Sequence, residues 1–149
     1  MGRVKLEIPE SLPYETEIVV RITDINYGGH LGNDALLGLL QEARLRFLMS
    51  KGFSEKDAGG AGIIMVDAVV QYRSEAFHGE TLRIEVGAGD LQDLGCDFYF
   101  RVWKKKGGKE VARAKTGIAF FDYQKRKVVP MPGPFRDAFA VTKNPALMR

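Results

Sequence analysis

The chain has 149 residues, of which 45% are hydrophobic, 28% charged and 10% aromatic. That suits one ordinary domain with a sizeable buried core, spanning residues 1–149, and excludes the low-hydrophobicity, high-charge signature of disorder. The net charge of +3 comes from scattered basic residues, too diffuse for the basic stripe of a nucleic-acid-binding protein. A single cysteine, Cys96, excludes an internal disulfide, and two histidines offer no transition-metal spacing, so no metal is expected.

The stretch Met1 to Tyr14 carries charge and two prolines without the apolar core of a signal peptide. The longest apolar run, Ile63 to Val70, is broken by Asp67 and falls far short of the roughly 20 residues of a membrane helix. A cytoplasmic protein that does not enter a membrane is therefore expected. Cys96 lies within an expected strand with no His nearby and reads as a buried structural thiol.

From Glu15 to Thr23, Thr16, Ile18, Val20 and Ile22 alternate with Glu17, Val19 and Arg21, the period-two pattern of a first strand. Asp24 to Gly32 follows as a glycine-rich loop, with Gly28, Gly29 and Gly32 open to backbone conformations that side chains resist. Asn33 to Ser50 turns helical. Its leucines, Ala43 and Phe47 cover most of the circumference, which implies a largely buried helix. Asn33 is the expected N-cap, Asp34 puts negative charge in the first turn, Lys51 sits at the far end, and Gly52 is the expected stop.

Strands are predicted over Ile63 to Ser74, Thr81 to Leu91, Cys96 to Lys105 and Glu110 to Asp122, separated by short turn signals suited to antiparallel neighbours. A last piece, Lys127 to Met131, precedes a short helix from Phe135 to Ala140. Lys104, Lys105 and Lys106, just before Gly107-Gly108, read as a solvated turn or, more specifically, as a contact for the phosphates of a nucleotide-containing ligand.

A strand, one buried helix and then consecutive antiparallel strands make an α+β chain. Wrapping the apolar face of an antiparallel sheet around the single helix solves its burial problem, which is the hot-dog arrangement. One helix leaves part of such a sheet uncovered, so a homodimer or homotetramer is expected, with the Ile63 to Tyr72 strand as the joining edge.

Polar groups concentrate in Arg21 to Asn33, where the chain leaves a strand and enters the helix. A helix N-terminus offers unpaired N–H groups and partial positive charge, suited to an anion or a developing oxyanion. With a thioester carbonyl there, those groups stabilise the tetrahedral intermediate while Asp24 either activates water or attacks directly. Such donors are worth about 2.7–4 kcal/mol each in acyl transfer, and general-base help about 100- to 10,000-fold.

Here the sequence resembles the hot-dog acyl-CoA thioesterases, including 4-hydroxybenzoyl-CoA thioesterase. The resemblance lies in Asp24, Gly29-His30 and Asn33, in Glu42-Ala43-Arg44 on the helix, and more weakly in Tyr72-Arg73-Ser74-Glu75-Ala76-Phe77-His78-Gly79-Glu80-Thr81-Leu82. The spacing Asp24-x-Asn26 is also similar to acyl-carrier-protein thioesterases. Gly32, Leu36 and Gln41 depart from the family's pattern.

The resemblance implies catalytic positions at Asp24, His30 and Asn33, with Tyr27, Gly28, Gly29, Tyr72 and Arg73 around the substrate. It also implies an acyl-CoA or acyl-carrier-protein substrate and no bound cofactor, CoA arriving as part of the substrate. Four of these residues have a plainer alternative. Asp24 can bond its own loop, His30 can hold the loop by hydrogen bonds, Tyr27 can anchor it, and Asn33 can serve as a cap. Glu42 reads as structural. Two other functions suit the same fold: hydration or dehydration of acyl thioesters, and acyl-CoA binding without chemistry.

Overall fold

A computed structural model describes residues 2–140. Strand β1 (Tyr14–Val19) leads through a 3-10 turn (Ile22–Asp24) and a loop to helix α1 (Asn33–Ser50). Then come β2 (Gly62–Tyr72), β3 (Thr81–Gly89), β4 (Gly95–Lys104), β5 (Glu110–Asp122), the two-residue β6 (Lys127–Val128) and helix α2 (Gly133–Ala140). The sheet runs β1-β3-β4-β5-β2, antiparallel throughout, with β6 paired to β5.

Alternation decides which face of the sheet is buried. Leu82, Ile84 and Val86 on β3, Phe98, Phe100 and Val102 on β4, and Ala112, Ala114, Ile118 and Phe120 on β5 all point inward. They meet Leu36, Leu39, Leu40, Ala43, Phe47 and Leu48 of α1, so the sheet closes round one helix in the expected hot-dog arrangement. Helix α2 seals one end with aromatics: Phe139 meets Phe47 at a centroid distance of 5.2 Å and Phe135 meets Phe120 at 4.8 Å.

Two local expectations need correction. The first strand ends at Val19, not Thr23. Asp24 pulls the chain into a turn, because its carboxylate and main-chain N–H both bond back to Arg21. The N-cap of α1 is Gly32, with extended backbone and no side-chain cap bond, and Asn33 is already helical. The Gly32 N–H is tied to the Asp24 carbonyl at 2.9 Å, which places the helix start one residue early. At the other end, Lys51 is the C-cap and Gly52 follows at φ 83°, a left-handed conformation that favours glycine.

The segment before β1 lies across the outer face of the sheet. Arg101 donates to the carbonyls of Ile8 and Glu10, and Gln71 donates to that of Val4. Among the described residues strand β2 has a partner, β5, on one side only, and Met65, Val66, Asp67 and Ala68 along it are exposed.

Candidate active site

The loop between the 3-10 turn and α1 is closed by its own backbone. Gly32 N–H reaches the Asp24 carbonyl, Asn26 N–H reaches the His30 carbonyl at 2.9 Å, and Ile25 bridges Leu31. Within it the Asn26 Oδ1 accepts from the Gly28 N–H at 2.9 Å and the His30 N–H at 3.4 Å. A side-chain oxygen gathering N–H groups in this way is what a short polar residue does in a tight turn. Leu31 N–H reaches the Ala76 carbonyl at 2.8 Å, docking the loop on the segment after β2.

That docking shapes a cavity of about 220 Å³. Its walls are His30 to Asn33 and Leu36 on one side, Tyr72 to Ala76 on another, and Val111. The structure thus gathers His30, Asn33, Tyr72 and Arg73 from two distant stretches of sequence. Tyr72 Oη donates to the Asn33 carbonyl at 2.9 Å, fixing β2 against the start of α1. Burial, then the charge of Asp34, pushes the Tyr72 phenol above its ordinary pKa, so it stays a protonated donor at neutral pH.

The first hydrogen bond of α1 runs from Leu36 N–H to the Gly32 carbonyl at 3.1 Å. The N–H groups of Asn33, Asp34 and Ala35 have no acceptor among the described residues and lie at the positive end of the helix. His30 is half-buried, and its Nδ1 sits 3.1 Å from the Leu31 carbonyl oxygen. A carbonyl only accepts, so Nδ1 is the donor in this contact, and in the neutral ring Nε2 keeps its lone pair.

Other expected residues lie apart from this cavity. Asp24 is buried, 6% exposed, and does not line it. Its Oδ2 accepts from Arg21 N–H at 2.8 Å and Nε at 3.2 Å, and its Oδ1 from Nη2 at 3.1 Å. Burial pushes the carboxyl pKa up, but the bonds from the Arg21 side chain and main chain, together with its charge, outweigh that and hold it below the ordinary carboxylate value. Tyr27 is fully exposed, and Gly28 and Gly29 are exposed at the loop tip. Glu42 pairs with Arg46 at 2.7 Å on the helix surface. Arg44 is buried and bonds Glu55 and Thr116.

Sequence reasoning did not single out Ser74, Glu75 or Ala76 as walls. Their signal was only that they continue the stretch beginning at Tyr72. Cys96 is buried, and desolvation, then the charges of Asp97 and Asp90, push its thiol up to about 12, which fits a structural thiol. Among the described residues no cluster of three or more His, Cys, Asp or Glu could hold a metal ion, and no helix is long and apolar enough to cross a membrane.

Residues 20–139 match the model of the thioesterase-like superfamily. The chain belongs to that superfamily. Among solved structures it is similar to a 1,4-dihydroxy-2-naphthoyl-CoA thioesterase from Synechocystis, at 20% identity and TM-score 0.79 over 89% of this chain and 98% of that one. A gentisyl-coenzyme A thioesterase matches at 20% identity and TM-score 0.75, over 85% and 99% of the two chains. A probable thioesterase from Escherichia coli matches at 22% and TM-score 0.69, over 83% and 94%. At these identities the likenesses establish the fold. No curated protein sequence matches significantly.

Proposed function

We propose that this protein hydrolyses acyl-CoA thioesters in the cavity at the start of α1. The observation that carries this reading is one small cavity walled by both His30 and the unpaired first turn of α1. A thioester needs little more. It is already an activated acyl group, and its thiolate departs without strong protonation.

In this reading the carbonyl oxygen faces the N–H groups of Asn33 to Ala35, which hold the oxyanion as it forms. His30 Nε2 takes a proton from water as the water attacks the carbonyl carbon. The intermediate then collapses, the C–S bond breaks, and the proton passes to the thiolate sulfur. Asn33 and Tyr72 set the position of the helix start. Asp24, tied to Arg21 and away from the cavity wall, acts as a positioning residue for the loop. A second reading, with Asp24 as base or nucleophile, is favoured by its being held ionised in that same loop. It requires the Arg21 contacts to open.

The cavity is smaller than the roughly 300–1,000 Å³ of an ordinary ligand pocket. A homodimer formed along the free edge of β2 would enlarge it, since Tyr72 ends that strand and lines the cavity. The fitting test is thiol release from short aliphatic, long aliphatic and aromatic acyl-CoAs. Turnover of at least one supports the reading. Water loss from a 3-hydroxyacyl thioester would support a dehydratase instead, and binding without turnover would support a sensor.

A further inference from the structure

We infer that Lys105 and Lys106, at the tip of the β4–β5 hairpin, bind the phosphates at the nucleotide end of the CoA thioester, an inference that rests on the hydrolase reading above. A second cavity of about 670 Å³ is walled by His78 to Thr81 and by Lys104, Lys105 and Lys106. Three lysines stand there against two carboxylates, Glu80 on the wall and Glu17 beside Lys105. An anion is the complement of such a wall.

The lysines are not equivalent. Lys104, the most buried, is held by Glu80 at 3.2 Å and stands 5.2 Å from the ring centroid of Phe77. Glu80 also accepts the Phe77 N–H at 2.7 Å, which closes the turn through Gly79 at φ 85°. That lysine is part of the frame. Lys105 pairs with Glu17 at 3.0 Å, but both side chains are about half exposed, at 58% and 45%. Such exposed pairs contribute little, so a more highly charged phosphate displaces the carboxylate readily. Lys106 has no ion pair among the described residues. His78 adds a ring N–H donor on the same wall.

The two cavities share one loop. Ala76 lines the first and His78 the second, and two residue steps span at most about 7 Å. A ligand with its acyl group in one and its phosphates in the other therefore follows a single segment, with the exposed Phe77 between them.

The test compares an acyl-CoA with the same acyl group on pantetheine, which lacks the nucleotide, in wild type and in a Lys105→Gln/Lys106→Gln double variant. The expected result is a KM for the CoA ester raised about fivefold to tenfold with kcat near wild type, and an unchanged KM for the pantetheine ester. Rising salt should erase the difference between the two proteins by screening. An unchanged KM for the CoA ester, or an equal rise for both esters, overturns the inference. Calorimetric binding of adenosine 3′,5′-bisphosphate separates the two readings if neither ester is hydrolysed. Weaker binding to the double variant upholds the phosphate site while the hydrolase reading fails, and equal or absent binding overturns the site.

Discussion

Arg21 closes on Asp24 from both sides, with its main-chain N–H at 2.8 Å from Oδ2 and its guanidinium at 3.1 Å from Oδ1. That clasp ends the first strand, starts the loop and leaves the Asp24 carbonyl placed to hold the Gly32 N–H at the head of α1. Asp24 has its folded pKa lowered, so the stability it contributes is present above the unfolded value of about 3.9 and lost as pH falls through the folded value. Asp24→Asn should lower the thermal midpoint at pH 7 by several degrees and flatten the fall of that midpoint below about pH 4. Scanning calorimetry from pH 2 to 7 checks this. An unchanged profile would remove the clasp from the account.

Tyr72→Phe removes only the bond from Oη to the Asn33 carbonyl. A loss of about 0.5–1.5 kcal/mol in denaturant unfolding is expected. If Tyr72 sets the helix start against the cavity, KM should rise as well; a change in stability with unaltered kinetics would make the bond purely structural.

Phe47 stacks on Tyr14 at 5.3 Å and meets Phe98 and Phe139 edge-on, joining α1 to β1, β4 and α2. Phe47→Ala should cost about 3–5 kcal/mol in urea unfolding. Gly95→Ala tests a tighter constraint, since a Cβ there would stand 2.0 Å from the Ile118 carbonyl oxygen across the β4–β5 pair. A loss of about 1–3 kcal/mol is expected.

Cys96, with its thiol pushed up to about 12 and its side chain enclosed, should not react with a thiol reagent in the native protein at pH 8. Full labelling should appear only in denaturant. Labelling at the rate of a free thiol would show that the β4 region opens readily.

The core was legible because its signals are local and redundant. Alternation along β3, β4 and β5 and the apolar girth of Leu36 to Leu48 each name the same buried face. The cavity was half legible: Asn33 and Tyr72 were named from separate stretches, but their meeting depends on how β2 lies against α1, and periodicity says nothing of that. Asp24 was legible as a residue under constraint, while its tie to Arg21 was not. A carboxylate before a glycine-rich loop reads alike whether it faces a substrate or a neighbouring guanidinium. The crossing of residues 4–10 over the outer sheet face was also hidden, because it is held through backbone carbonyls that carry no side-chain signature.

The most direct test compares steady-state thiol release by wild type, His30→Gln and Asp24→Asn on one acyl-CoA that the protein turns over. With His30 Nε2 as the base, His30→Gln should lower kcat by about 100- to 10,000-fold while the variant stays folded. Asp24→Asn should lose stability first and retain measurable turnover. His30→Gln at the wild-type rate, with Asp24→Asn folded and inactive, would contradict the account and return the chemistry to the Asp24 carboxylate.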